Sequence, residues 1–147
     1  ARTLDQMIVE DVSPAKLVEL DLSGELSTHW NVSLDQLKVI LELWPTELQR
    51  LGQIDLADRR NRQLRRVAEV WRTKSPDCFV IAAGVSTGAP AVAELLACVA
   101  RMPRGQVVLA GLDLEISESE WAEIGGGEAG SAIETHPQFH LHQLLFL

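Results

Sequence analysis

The stretch most able to do chemistry is a loop of small residues, GVSTG, at positions 84–88. An apolar run, CFVIAA at 78–83, precedes it, and a helical pattern begins near Pro90. Free N–H groups at a helix N-terminus can hold an anion, so a Gly/Ser/Thr loop at such a junction suits a phosphate. A working Walker A loop also carries a lysine, and a Walker B strand ends in acids. Neither is present, so a tight strand-to-helix turn is the favoured interpretation. The candidate residues of this degenerate nucleotide-site loop are Gly84, Ser86, Thr87 and Gly88.

A second loop begins at Gly111, the last residue of the apolar run QVVLAG at 106–111, and also contains Asp113 and Glu115. Ligands of open α/β sheets bind at the carboxyl ends of the strands, so Gly111 and Asp113 are further candidates for a site. Paired acids are common on loops, however, and no base, nucleophile or metal partner is evident beside them. An ordinary surface loop is therefore preferred.

The histidines and cysteines offer little chemistry. His136, His140 and His142 are spaced by four and two residues, which does not place all three on one helix face, and no further ligand stands at metal-site spacing. Packing or surface roles are expected for them. Cys78 and Cys98 are expected to be two buried free thiols in a reducing compartment.

Charge is distributed unevenly along the chain. The net charge is −8, which disfavours a free-standing nucleic-acid binder, yet the stretch at 58–66 carries five arginines. One helix face there could touch a phosphate backbone, although a solvated or interdomain face is the safer interpretation. Arg60 falls on the apolar side of the same helix and is expected to be a hidden ion-pair partner. The nucleic-acid-binding candidates are Arg59, Arg62 and Arg66.

Residues 1–54 are predicted to form a helical lead-in segment. Apolar side chains at alternating four- and three-residue steps predict a helix over 28–44, namely Trp30, Leu34, Leu37, Leu41 and Trp44. Pro45 is expected to end this helix or to begin a further short one, which Gly52 closes. The sequence SPAKLVEL, from Ser13, predicts another short helix.

Residues 55–147 are predicted to form an α/β segment. A long helix over 55–73 leads into the two apolar runs, which predict strands buried on both faces of a parallel sheet. The helix between them implies a right-handed crossover. The apolar face of the long helix is expected to contain Leu56, Leu64, Val67 and Trp71. Ser117 and Glu120 predict a capping box, and a last helix is expected after Pro137.

Several segments occur together in one order: WPTELQRLGQIDLADRRNRQL, VIAAG, STG, PAVAELL, VARMPRGQVVLAGLD, EISESEWAEI and HPQF. From Trp44 to Phe139 this set resembles the AddB family, the alphaproteobacterial-type double-strand break repair subunit of an ATP-dependent helicase/nuclease. Two positions depart from the family pattern. Val85 separates AAG from STG, and Ala110 stands where the family usually has proline.

The resemblance implies an α/β fold with a partial RecA-like, P-loop helicase-type parallel sheet and degenerate motor motifs. In related UvrD-like helicases a G-x-hydrophobic-D segment, a Walker B strand and a G-D-x-x-Q strand follow one another. Here GQID at 52–55, FVIAAG and VVLAGLD follow in that order without the acids and the glutamine, and only Gly111 and Asp113 echo the last motif.

For function, the resemblance implies a catalytically silent fragment of the repair complex that serves as scaffold and DNA path. No cofactor is expected in this fragment, and the partners are an AddA-type helicase/nuclease subunit and, through the parent protein, DNA. A cytoplasmic location without a membrane span is expected. Because the sequence lacks an initiator Met, we expect an excised piece of a longer chain. The alternatives are a small-ligand or nucleotide-binding α/β domain and a protein-interaction module that docks through the acidic end after Arg104.

Overall fold

A computed structural model describes residues 2–13, 26–126 and 132–146 of the chain, with backbone only for 26–36. The chain divides into two compact units, Ala1–Asn61 and Arg62–Leu147. The domain boundary predicted from the sequence lies after residue 54, before the division between Asn61 and Arg62. The short helix predicted from SPAKLVEL falls on residues outside the described part.

The described part of the first unit is helical. It contains α1 (Arg2–Val9), α2 (Leu26–Leu51) and the first turns of α3 (Leu56–Thr73). The predicted break at Pro45 is wrong, because Pro45 lies inside α2. The φ of proline fits a helix, and proline lacks only its own N–H hydrogen bond. Because good helix formers follow Pro45, the helix continues past it.

The end of α2 was predicted correctly. Gly52 has φ of +63°, a left-handed conformation that glycine adopts without a Cβ penalty. The N–H of Gln53 donates to the Leu48 carbonyl at 2.9 Å, and the N–H of Gly52 donates to the Gln49 carbonyl at 3.1 Å. This pair of bonds is a Schellman motif, which satisfies carbonyls at the helix end.

Polar contacts fasten the helices of the first unit. The Trp44 indole N–H donates to one oxygen of Asp55 at 3.0 Å, and the other oxygen accepts from the Ala57 N–H at 2.8 Å, which caps α3. Asn61, only 2% exposed, donates from Nδ2 to the Ile8 carbonyl near the end of α1 at 2.7 Å. Hydrogen bonds thus contribute to holding α1, α2 and the start of α3 together.

The second unit is built on a parallel pair of strands. Strands β1 (Val80–Ala83) and β2 (Gly105–Val108) pair in register Val80 with Gly105 through Ala83 with Val108. Helix α4 (Pro90–Arg101) joins them. The α/β class and the parallel pair are confirmed, and both strands are shorter than predicted.

The expected burial of both sheet faces is wrong. Side chains alternate between half-buried and exposed along each strand, and Ile81 and Val108 are exposed. Ala82 and Val107, on the other face, pack with Ala93 and Leu96 of α4. An apolar run therefore marks a strand here without showing that both of its faces are covered.

The C-terminal half of α3 belongs to the second unit and packs through small side chains. Ala68 is completely buried, and its carbonyl accepts from the Cys98 thiol of α4 at 3.4 Å. The predicted apolar face is only partly right, because Leu56 and Val67 are exposed whereas Trp71 packs against the cluster around Ala68. A small residue lets α3 approach α4 more closely than Val67 would. Arg60, expected to be hidden, is also exposed.

Two short helices complete the described part of the second unit. Helix α5 (Glu118–Ile124) begins with the predicted capping box, in which Ser117 and Glu120 bond reciprocally. Helix α6 (Phe139–Leu145) follows a turn, as predicted. In the described residues no helix combines the length and apolar character needed to cross a bilayer.

Candidate functional site

The loop after β1 is a compact strand-to-helix turn. Gly84 has φ of +71°, and its N–H donates to the Val108 carbonyl at 3.3 Å, beyond the last residue pair of the sheet. The Thr87 hydroxyl accepts from the Ala89 N–H at 3.2 Å, and Pro90 starts α4. The small residues therefore serve the turn itself, as the favoured interpretation predicted.

The end of this loop is in contact with the C-terminal segment. A Cβ on Gly88 would lie 2.7 Å from Oε1 of Gln143 and 3.0 Å from Nδ1 of His140. Both side chains therefore lie directly against Gly88, two residues before α4 begins. The space in front of this helix terminus, where an anion would approach, is partly taken by the protein's own side chains.

The loop after β2 contacts the same segment. Gln138 donates from Nε2 to the Gly111 carbonyl at 2.8 Å and accepts from the Asp113 N–H at 3.1 Å. Gly111 has φ of +88°, which suits the turn. The Asp113 carboxylate accepts from the Glu115 N–H at 2.9 Å, so it stabilises its own loop.

Residues 136–146, here called the C-terminal strap, thus contact both loops at the carboxyl end of the sheet. Leu144 of the strap is buried against Ala93 and Leu96 of α4. The His142 ring lies 5.0 Å from the Trp121 ring and 4.6 Å from the Phe146 ring, measured between centroids. The structure therefore places both candidate loops at one edge, and the strap lies across that edge.

A cavity of about 430 Å³ lies beside the second loop. Four carboxylates and one histidine line it together with isoleucines: Asp113, Glu115, Glu120, Glu123, His136, Ile116, Ile124 and Ile133. Hydrogen bonding from Ser117 holds the pKa of Glu120 below its ordinary value. Within the described ranges no group of three or more His, Cys, Asp or Glu residues is arranged to hold a metal ion. Four like charges would repel a phosphate, so this cavity does not suit a nucleotide's phosphates.

The three candidate arginines lie on α3, and all are exposed. Arg66 forms an ion pair with Glu69 of the same helix at 2.7 Å. The adjacent Arg65 pairs with Glu94 of α4 at 3.1 Å. The basic stretch is therefore partly engaged in ion pairs within the chain.

The cysteine prediction is half right. Cys98 is buried in the contact between α3 and α4, whereas Cys78 is exposed in the turn before β1. Cys78 precedes the observed strand, which starts only at Val80. The expectation of two buried thiols is therefore wrong for Cys78.

The sequence did not reveal the glutamines of the strap. The histidines do pack, as expected: His140 against Gly88, and His142 between two aromatic rings. Gln138 and Gln143, which contact the two loops, were overlooked. Glycine and glutamine are common surface residues, so only the fold shows that they meet.

The fold and the loops define an α/β unit with a parallel strand pair and a strand-to-helix loop that lacks lysine and acids. Comparison with protein-family models, with curated proteins and with solved structures gave no match. The resemblance to the AddB family therefore stays a prediction that rests on the ordered sequence segments.

Proposed function

We propose that this chain is a helicase-like segment of an AddB-type subunit, in which a nucleotide-site scaffold acts as a structural element and a DNA path. In this proposal the chain does not turn over ATP by itself. Its partners are an AddA-type helicase/nuclease subunit and DNA, and the complex repairs double-strand breaks in the cytoplasm. The RecA-like nature of the sheet is part of the same proposal.

The observation that carries the proposal is the chemistry at the carboxyl end of the sheet. Strand β1 ends in Ala82 and Ala83, and the loop that follows offers hydroxyls but no charged side chain. Phosphoryl transfer depends on cations and acids that stabilise charge and hold magnesium. A parallel strand–helix–strand unit with this loop suits a retained scaffold better than a motor.

ATP turnover tests the silent scaffold directly. The chain is assayed with ATP, magnesium and single-stranded DNA, alone and with the AddA-type subunit. We expect the chain alone to stay at the buffer background and to form a stable complex with that subunit. Turnover by the chain alone that Thr87→Ala abolishes, while Ser119→Ala leaves it unchanged, would refute the proposal.

The exposed arginines of α3 support the DNA path. Phosphate contacts by arginine supply sequence-independent affinity that falls with salt. In the complex with the AddA-type subunit, Arg59→Ala combined with Arg62→Ala should weaken binding of labelled single-stranded DNA. The slope of log affinity against log salt should decrease by about 0.7 for each lost phosphate contact.

Arg72 provides the matched control for this measurement, because it is an exposed arginine in the last turn of the same helix. Arg72→Ala should leave the salt slope unchanged. An equal loss of affinity per arginine removed in both variants would mean that only net charge matters, and the DNA path along Arg59 and Arg62 would be wrong.

One observation favours a second candidate, the protein-interaction module. Phe79 is 80% exposed just before β1, and Ile81 and Val108 are exposed on the uncovered face of the sheet. Parallel sheets are normally covered on both faces. Ile81→Asp should abolish complex formation with a protein partner if this face docks, whereas Gln106→Asp, at the paired position in β2, should have a smaller effect.

A further inference from the structure

We propose that the C-terminal strap is a built-in closure of the Gly88 end of the loop at 84–88, and that the start of α4 beside Gly88 becomes accessible only when the strap is released. This inference uses only contacts within the second unit. It holds whether or not the chain belongs to an AddB-type subunit.

The first set of contacts lies on the loops themselves. His140 and Gln143 lie against Gly88, and Gln138 bonds to the backbone of the second loop at 2.8 and 3.1 Å. A ligand that approached the start of α4 from this side would have to displace His140 and Gln143. The strap therefore takes the place that a bound group occupies in many α/β proteins.

The second set of contacts is apolar and holds the strap in place. Leu144 is buried in the cluster with Ala93 and Leu96, and Phe139 is buried at the start of α6. These apolar contacts stabilise the closed position, because burial removes apolar surface from water. The polar contacts to the loops then fix its register.

The third set lies at the far side of the strap, away from the loop. The His142 ring lies against Gly125 at the end of α5, where a Cβ would come within 2.8 Å of Nε2. Trp121 and Phe146 flank that ring, so it cannot move aside freely. Because Gly125 has no side chain, it leaves space for the His142 ring, just as Gly88 leaves space for the Gln143 side chain. The space at Gly125 is called the His142 notch.

This arrangement allows the closure to be tested by a substitution away from the loop. Gly125→Ala fills the His142 notch and touches no residue of the loop. If the strap closes this end of the loop, hydrogen exchange of the amides of Gly88 and Ala89 should accelerate about tenfold together with those of α6, because both depend on one local opening. Amides of β1 serve as the internal reference and should exchange as in the wild type.

Glu118→Ala is the matched control, since Glu118 is exposed in the first turn of α5. It should leave exchange at Gly88 and Ala89 unchanged. His142→Ala removes the ring instead of filling the notch, and it replaces Gly125→Ala if that variant does not fold. Loop amides that stay as slow as in the wild type while α6 exchanges freely would overturn the closure. A strap that stays fully protected in both variants would overturn the fastening at Gly125.

Discussion

The described parts of the two units differ in how they bury apolar surface. Among the described side chains, Met7 is the only buried hydrophobic residue of the first unit. The second unit buries two clusters against α4, one of Ala68, Cys98 and Met102 and the other of Ala93, Leu96 and Leu144. Large side chains of α2 and its end are exposed instead: Val39, Ile40, Leu43 and Leu51.

Apolar residues at helical spacing are therefore not sufficient to form a buried core. On the predicted apolar stripe of α2, Leu37 and Leu41 are only half-buried and Trp44 is 37% exposed, whereas Leu96 of α4 is 6% exposed. Helix α4 has alanines that allow a strand pair and two helices to approach it. The described part of the second unit therefore depends on close packing, whereas the described part of the first includes polar contacts such as the bond from Asn61 to Ile8.

The largest expected effect comes from Gly105→Ala in the second unit. A Cβ at Gly105 would overlap the Val99 carbonyl oxygen of α4 and lie 3.0 Å from Cβ of Met102. Backbone cannot give way cheaply, so the variant should lose more than about 3 kcal/mol of unfolding free energy. Urea unfolding followed by circular dichroism measures the loss.

Gly52→Ala is the matched control in the first unit. Nothing lies within 4 Å of a Cβ at Gly52, and only its φ of +63° opposes a side chain, which costs about 1–2 kcal/mol. Equal losses in the two variants would mean that the close contact between β2 and α4 is not a determinant of stability.

The next effect in size separates buried from exposed leucine. Leu96→Ala should cost about 2–5 kcal/mol, because it leaves a cavity beside Ala93 and Leu144. Leu43→Ala in the first unit should change stability by less than about 0.5 kcal/mol. Thermal unfolding of both variants checks the pair. A cost for Leu43→Ala near that of Leu96→Ala would show that α2 is covered in solution.

A smaller effect is expected at the polar centre of the first unit. Asn61→Ala removes the donor to the Ile8 carbonyl and should cost about 1–3 kcal/mol. Hydrogen exchange of α1 should rise in this variant, while β1 and β2 stay protected. Unchanged protection of α1 would contradict the interpretation that Asn61 fastens it.

Local signals of the sequence predicted most of the second unit. Pro90, Ser117 with Glu120, and Gly52 act through neighbouring backbone groups, so their helix starts and ends are visible without the fold. The parallel pair followed from the strand–helix–strand order. Pro45 misled because its restriction on the preceding residue is a preference that a good helix can override.

What the sequence left open depends on distant partners. Ile81 and Ala82 look alike in an apolar run, yet only Ala82 faces α4. Likewise Gly88 reads as part of a loop, and its contact with Gln143 joins residues far apart in the chain. The contacts of the C-terminal strap with the two loops could not be predicted, because no periodicity or motif encodes such a pairing.

The smallest expected effect concerns the start of α5. The Ser117 hydroxyl donates to Oε2 of Glu120 at 2.7 Å, and the Glu120 N–H donates back to that hydroxyl at 3.3 Å. Ser117→Ala removes this cap and should cost about 1 kcal/mol at neutral pH. Because α5 belongs to the second unit, the loss should appear in the unfolding of that unit.

The pH dependence of this cap sharpens the prediction. Hydrogen bonds from the Ser117 side chain and backbone lower the folded-state pKa of Glu120 below its ordinary 4.5. Ionised Glu120 therefore stabilises the folded state above the unfolded pKa, and this contribution is lost as the pH falls through the folded pKa. The stability gap between wild type and Ser117→Ala should be constant near neutrality and narrow below about pH 4.5. Ser117→Thr keeps the hydroxyl and should follow the wild type. A gap that does not narrow in acid would show that Glu120 contributes nothing to the cap.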